Sequence, residues 1–423
     1  MKNVLLTAPI LSRSGYGEHA RLVYKSLKRN SSINVCVQPL EWGQSSWIMQ
    51  PEKIGPYLKE DMDKMSSPPP HFDLSIQVTI PNEWKRLAQV NIGVTAGIEV
   101  DRVDPVWLQQ ANLMDKIVVI SNHSKNVFEG TEYHVQDQNT GATHLLKCQT
   151  PVEVIGYPVK NLEPVDMSDK IDISSNFNFL TVAQWGPRKN IVASIKWFVD
   201  EFKHNEDVGL VIKSHQMNMS LIDRKKLARH IELTLASYGS DRKCKVYFIH
   251  GDMTAEEMHG LYTHPKIKAY VTTTHGEGFG LPIFEAAYSG LPVIAPAWSG
   301  QNDFLYAPVK NEKSGKVKDT PLFEKIKFGI GPVQPEVVWE GVISKEAQWC
   351  YPEEESYKKR LREMYNGLNY RNVRAEGLKE HLKHNFSEDI ICNKYLDVFD
   401  PYIDTSKDDE EINNMFASLS QEG

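Results

Sequence analysis

Twice along this chain, short apolar runs alternate with segments whose apolar residues recur at helical spacing. Parallel β-strands covered by crossover helices require that pattern, because each strand is buried on both faces while each helix buries one stripe. The first round predicts a strand at Val4–Ala8, a helix whose inner face carries Ala20, Val23, Tyr24 and Leu27, and a strand at Ile33–Val37. Further strands are predicted at Phe72–Val78, Ile92–Ile98 and Ile117–Ile120, the last leading into a helix through Asn126–Phe128. A polar stretch at 167–178 reads as a linker. The second round predicts strands at Phe179–Ala183, Gly209–Lys213, Val246–Ile249, Ala269–Thr273 and Pro292–Ala295, with helices over Ile191–Phe202 and around Phe284–Ser289. Thr254 and Glu257 form a capping box for a helix running towards His264. Residues 50–71 and 306–350 break the rhythm and read as insertions.

The expected fold class is α/β: two Rossmann-like, doubly wound parallel-sheet domains facing across a cleft. Residues 1–170 are assigned to the first and 171–400 to the second, whose last helix is free to pack back on the first. Residues 401–423 form an acidic tail expected to be disordered. Ligands of such sheets bind at the carboxyl ends of the strands, which places the site in the cleft. The formal net charge of −7 argues against a polyanionic partner until it is divided: the tail carries six carboxylates and one lysine, a net of −5, leaving only −2 on the body. The five cysteines show no CxxC spacing, so neither a disulfide framework nor a zinc site is indicated. The apolar stretch Val4–Ile10 is too short for a signal peptide, and no run approaches the roughly 20 residues of a membrane span. The expectation is a cytoplasmic protein without integral membrane contact.

Gly15-Tyr16-Gly17-Glu18-His19-Ala20 fits G-x-G-x-x-A, yet Pro9–Ser14 separate it from its strand and no acidic residue ends the second strand near Val37. A nicotinamide or flavin site is therefore not the reading. What stays is a glycine turn whose backbone N–H groups can face a ligand, or a plain strand-to-helix turn. Asp61-Met62-Asp63 has the form of a metal-holding Asp-x-Asp pair, but it sits in a polar stretch with no strand leading into it and reads as solvated surface. Thr272–Pro296 is more informative: a strand runs into His275-Gly276-Glu277-Gly278-Phe279-Gly280, a helix follows, and Gly290-Leu291-Pro292 ends it. Glycines let a ligand approach the backbone, and the helix start after them favours an anion such as phosphate. Glu277 in the loop and Glu285 in the helix can address different hydroxyls of one extended ligand.

The whole of Thr272–Pro296 resembles the donor-binding signature of GT-B glycosyltransferases, in particular the family-4 retaining enzymes, E-G-F-G-L-P-x-x-E-A-x-A-x-G-x-P-V-I; only the region of Tyr288 and Leu291 departs from the commonest choices. Phe179–Asn190 resembles that family's first strand and loop of the second domain, with Arg188 and Lys189 as the matching cations and Ala183-Gln184 where the family usually has Gly-Arg. Arg13 or Lys213 is a candidate substitute. Arg13–Arg21 resembles the family's glycine loop, and Val94–Phe128 a branch with an E-x-D-R segment but without the family's histidine between Val94 and Glu99. The resemblance covers most of residues 1–305. It implies GT-B architecture and a retaining transfer from a nucleoside-diphosphate sugar, UDP-linked by expectation. Glu285 would hold the ribose, and Glu277 with the backbone of Phe279, Gly280 and Leu281 the sugar, next to Gly278. Arg188 and Lys189 would neutralise the diphosphate above the loop of Gly15, Tyr16 and Gly17. Glu277, Lys189 and Arg188 are the catalytic candidates.

No metal and no cofactor is expected beyond the nucleotide sugar as co-substrate, and no dedicated protein base is needed. Glu99 and His123 are acceptor-side candidates; the alternatives are a salt bridge of Glu99 with Arg102 and a capping or surface role for His123. The expected acceptor is a saccharide or other soluble hydroxyl compound. Two basic clusters, Lys310, Lys313, Lys316, Lys318 and Lys358, Lys359, Arg360, Arg362, Arg371, Arg374, read first as solvated faces. They also leave open hydroxymethylated DNA, an acceptor of some GT-B enzymes of bacterial viruses. A non-catalytic nucleotide-sugar binder is the third reading.

Overall fold

The computed structural model describes residues 1–43, 45–136, 141–217, 219–310 and 314–403. Six parallel strands form a first sheet in the spatial order Ile33–Pro39, Lys2–Ala8, Leu74–Val78, Val90–Thr95, Lys116–Val119, Val152–Val154. Six more form a second in the order Lys245–Ile249, Val208–His215, Phe177–Gln184, Ile267–Val271, Val293–Pro296, Glu324–Ile326. Numbered within each domain, these orders are 2-1-3-4-5-6 and 3-2-1-4-5-6, the two common doubly wound arrangements. The α/β expectation is borne out. Its physical basis is visible in strand burial: Val4, Leu6, Ile76, Ile92, Val94, Leu180, Leu210 and Ile212 are all fully buried.

Three readings change. The polar stretch at 167–178 is anchored rather than loose: Met167, Ile173, Ser175 and Asn178 are buried. The Asn178 amide donates to the carbonyls of Ser175 and Lys266, both at 2.9 Å, and Ser175 bonds the Tyr247 hydroxyl at 2.9 Å. Asp61 is not solvated but 1% exposed. It accepts from the Tyr24 hydroxyl at 2.8 Å and pairs with Lys64 at 2.8 Å and Lys28 at 3.0 Å, so two ammonium groups already balance its charge. The helix Leu221–Ala236 has no counterpart in the sequence reading, because only Asp223, Leu227 and Ile231 are buried on it and its apolar stripe is too thin to register.

The segment 328–352 also gains a structure. Phe328–Pro332 and Gln348–Pro352 form an antiparallel hairpin that bridges the two domains. On one side the Cys350 N–H donates to His275 O at 3.1 Å; on the other the Asp101 N–H donates to Gln348 O at 2.9 Å and the Trp107 indole to Gly341 O at 2.9 Å. A second bridge is the helix Glu388–Ile403, which returns from the second domain to the helix Gly15–Leu27 through Lys25–Glu388 at 2.6 Å, Arg29–Asp389 at 2.8 Å and a buried His19–Tyr395 hydrogen bond of 2.5 Å. Burial depresses the His19 pKa to about 3. The unfolded chain therefore takes up a proton first, and stability falls as pH drops below about 6.5. Tyr395→Phe leaves the His19 Nε2 unpartnered and is expected to cost about 1–3 kcal/mol; an unchanged urea midpoint would contradict this. The acidic tail from Asp404 onward, and Lys313, lie outside the described residues.

Candidate functional site

In a 3-2-1-4-5-6 sheet the strand order reverses between the first and fourth strands, and a crevice opens beyond their carboxyl ends. In the second domain those strands are Phe177–Gln184 and Ile267–Val271. The segments leaving them carry Arg188 and Lys189 on one side and His275–Gly280 on the other, and the two are stitched together: the His275 N–H donates to Arg188 O at 2.8 Å, and the Arg188 guanidinium donates to Gly276 O at 2.7 Å. Asn190, with φ +53°, turns the chain from Lys189 into the helix Ile191–Phe202, and its carbonyl accepts from Thr273 Oγ1 at 3.0 Å. On the facing loop Ser299, with φ +69°, accepts the Glu277 N–H at 2.9 Å. Two non-glycine residues in left-handed backbone thus lie on the segments that carry Lys189 and hold the Glu277 backbone.

Glu277 lies 2.5 Å from Lys189 Nζ and 3.1 Å from Arg188, whose other nitrogen is 3.2 Å from Glu99 of the first domain. Burial by itself pushes the Glu277 carboxyl up, but Lys189 and then Arg188 more than reverse it and hold it below the usual range. Burial, followed by the neighbouring guanidinium, pulls the Lys189 ammonium down. Two carboxylates and two cations thus meet in one cluster across the cleft. Glu99 therefore pairs with Arg188, not with Arg102, which goes to Asp101 at 3.6 Å and Glu346 at 3.8 Å.

The domains touch closely here. A Cβ on Gly276 would stand 2.1 Å from Glu99 O, and one on Gly278 2.6 Å from Ala96 O. Gly280, at φ +98°, caps the helix Leu281–Tyr288, whose second residue is Pro282, so of its first two backbone nitrogens only that of Leu281 carries a hydrogen. The Phe279 ring is core, packed on Tyr157, Phe284 and Phe304. Glu285 lies one turn on and accepts from the Tyr262 hydroxyl at 3.1 Å; burial pushes its carboxyl up, against the pull of Lys160.

The glycine loop has two faces. Gly17 is packed, since a Cβ there would meet Ser12 O at 1.9 Å, whereas Gly15 borders open space. The Tyr16 hydroxyl bonds Thr95 Oγ1 at 2.7 Å and its ring meets Trp42 at 4.1 Å. His123 stays outside the Glu277 cluster: its Nε2 is 3.1 Å from Val100 O and its ring 5.0 Å from Trp298, with burial lowering its pKa to about 4. Lys213 is buried and donates to Gly251 O at 2.7 Å, while Arg13 is exposed. Ser299, which accepts the Glu277 N–H, and Tyr157, packed on the Phe279 ring, have no counterpart in the sequence reading.

The basic runs divide. Lys310, Lys316 and Lys318 lie on the exposed hairpin Tyr306–Lys310/Val317–Pro321. Arg360, Arg371 and Arg374 converge on Glu324 at 3.6, 3.3 and 2.7 Å. Lys359 pairs with Glu363 at 3.8 Å, Lys358 with Glu354, and Arg362 with Glu201. Among the described residues no group of three or more His, Cys, Asp or Glu is placed to hold a metal ion, and no helix is long and apolar enough to cross a membrane.

No protein-family model matches the chain, and no curated protein matches it in sequence. Solved structures do match in shape. Sucrose-phosphate synthase from Thermosynechococcus elongatus superposes with a TM-score of 0.63 at 13% identity, covering 96% of this chain and 100% of that one. The chain has the GT-B fold. HepE of Anabaena, solved with UDP and glucose, gives 0.58 at 13% identity over 95% of this chain and 100% of its own. The UDP-forming α,α-trehalose-phosphate synthase from Burkholderia xenovorans, solved with glucose-6-phosphate, gives 0.58 at 10% identity over 94% and 99%. The chain spans 57% of the pneumococcal O-GlcNAc transferase GtfA.

Proposed function

We propose that this GT-B chain is a glycosyltransferase that moves a sugar from a nucleoside-diphosphate sugar, UDP-linked, to a hydroxyl of a saccharide or similar soluble acceptor, with retention at the anomeric carbon. The observation that carries the reading is the buried Glu277–Lys189–Arg188 cluster at the switch point of the second sheet. As the bond from the anomeric carbon to the diphosphate breaks, negative charge gathers on the leaving group, and Lys189 and Arg188 are sited to neutralise it. Arg188 exchanges Glu99 for a phosphate oxygen as the donor enters. Glu277, ionised by its neighbours, accepts from sugar hydroxyls, and Glu285 accepts from the ribose. The acceptor hydroxyl attacks on the face the diphosphate leaves and passes its proton to the leaving oxygen, so no protein base is required. UDP as the carrier is supported by the UDP bound to HepE and the UDP-forming activity in the name of the trehalose-phosphate synthase.

The ion pairs of Arg360, Arg371 and Arg374 with Glu324 spend these cations within the chain and give a DNA acceptor no support. The test is a mass-spectrometric screen of UDP-, GDP- and ADP-sugars against saccharides and hydroxymethylated duplex DNA. A sugar mass added to a saccharide from a UDP donor is expected. Nucleotide binding without turnover would make the chain a non-catalytic binder, and a mass gain on DNA alone would overturn the acceptor class.

A further inference from the structure

The first sheet has a switch point of its own. In the order 2-1-3-4-5-6 the crevice opens beyond the carboxyl ends of its first and third strands, Lys2–Ala8 and Leu74–Val78. Tyr16 stands on the segment that leaves the first strand, Trp42 on the one that leaves Ile33–Pro39, and Gly97 and Glu99 on the one that leaves Val90–Thr95. All four therefore sit at the carboxyl edge of the sheet, from which Glu99 reaches Arg188 of the second domain at 3.2 Å.

Trp42 is held there by a laced loop. The Arg13 N–H donates to Ser46 O at 2.9 Å, the Ile48 N–H to Leu11 O at 2.7 Å and the Ser45 hydroxyl to Trp42 O at 2.8 Å. The indole lies 4.1 Å from the Tyr16 ring, tilted by 33°, and Tyr16 is pinned through its hydroxyl to Thr95 Oγ1 at 2.7 Å. Tyr16 packs against the main hydrophobic cluster, whereas Trp42 belongs to no such cluster among the described residues. It is half-buried; among those residues Tyr16 is its one ring neighbour and its indole N–H has no hydrogen-bond partner. Core packing, the usual employment of so large a ring, does not account for it.

Gly97 completes the surface. A Cβ there would lie 3.7 Å from the Tyr16 hydroxyl and 3.9 Å from both carboxylate oxygens of Glu99, so the missing side chain leaves a gap between the aromatic pair and the carboxylate. Arg188 engages Oε1 of Glu99, and among the described residues Oε2 has no hydrogen-bond partner. A pyranose ring is the complement of such a surface, because it offers a face of C–H bonds to an aromatic shelf and a rim of hydroxyls to a carboxylate.

We propose that Trp42, backed by Tyr16, is the platform on which the acceptor stacks: a hexopyranose lays one C–H face on the indole and donates a hydroxyl to Oε2 of Glu99, beside the Arg188–Glu277 cluster. The inference rests on the glycosyltransferase reading and adds the class of the acceptor, a ring sugar rather than an open-chain polyol. Since the donor is read as held by the second domain, Trp42 acts on the acceptor alone.

The test has a binding arm and a turnover arm. In the first, saturation-transfer NMR follows the methyl glycosides of glucose, galactose, mannose and N-acetylglucosamine, with glycerol as the open-chain comparison, on wild type, W42A and W42F with and without UDP. At least one pyranoside is expected to bind with its strongest signals on the ring C–H protons of one face. W42A is expected to weaken its Kd about tenfold or more while the Kd of UDP stays within about twofold, and W42F to recover part of the loss. In the second arm UDP-sugars are added, and W42A is expected to raise acceptor KM by the same factor with kcat within about twofold. Equal pyranoside Kd values for wild type and W42A overturn the platform, as does the absence of binding by every pyranoside. Should W42A not fold, wild type decides alone, and signals without a preferred ring face overturn the proposal. Pyranoside binding that needs Trp42 but gives no transfer from any UDP-sugar leaves the platform standing, and the glycosyltransferase reading is what fails.

Discussion

On the proposed function, Lys189→Ala is expected to lower kcat/KM for the nucleotide sugar by about 10²–10³-fold while the protein stays folded, because it removes the preformed positive charge proposed to neutralise the leaving diphosphate. The side chain is well suited to show this cleanly. Its ion pair with Glu277 is one of two: Arg188 remains 3.1 Å from the same carboxylate, so the buried acid keeps a cation when Lys189 is gone. Lys59→Ala, at an exposed position of the helix Leu58–Asp63, supplies the control and is expected to leave turnover within about twofold. Donor turnover and a urea midpoint, measured together, check the claim. A wild-type rate for Lys189→Ala would remove this lysine from the site.

Gly276→Ala should force apart the contact between the two domains. The added carbon would stand 2.1 Å from the Glu99 carbonyl oxygen and 2.7 Å from the Trp298 ring. The first obstacle is backbone of the other domain, so relief requires the two loops to part, and parting them also breaks the Glu99–Arg188 pair at 3.2 Å. Overpacking of this kind costs about 1–3 kcal/mol or more, and turnover is expected to fall at least about tenfold as the loop carrying Glu277 loses its register. Gly377→Ala is the matched control: it sits in the helix Leu368–Asn385 with nothing near its Cβ, and gains up to about 1 kcal/mol from helix propensity. Equal urea midpoints for the two variants would show that the domain contact at Gly276 does not constrain the loop.

Much of the fold was legible because its signals are local. Buried parallel strands read as apolar runs wherever they fall, and the helix Ile191–Phe202 matched its reading to the residue because its apolar stripe is broad, with Ile191, Ile195, Phe198, Val199 and Phe202 all buried. The capping box of Thr254 and Glu257 was equally local and is present. Leu221–Ala236 was missed because its buried stripe is thin. The polar stretch at 167–178 does connect the two sheets, but its anchoring was not legible because composition registers polarity and not whether a polar group is paired; Asn178 and Ser175 are buried with their partners supplied by Lys266 and Tyr247. Asp61 misled for the same reason, its countercharges being Lys28 and Lys64.

The sequence alone determined the α/β class, the two sheets, and the glycine-rich turn and following helix that carry Glu277 and Glu285, since strand burial, helix amphipathicity and turn geometry are written in neighbouring residues. Tertiary structure decided which charges face each other. Glu99 went to Arg188 across the cleft rather than to Arg102 three positions along. Lys160 came to lie by Glu18, 142 positions away in the chain. A segment without a readable pattern, 328–352, became a bridge between His275 and Asp101. Coulomb energy depends on distance and on the local dielectric, and both are fixed only when the chain has brought remote segments together and excluded water from between them.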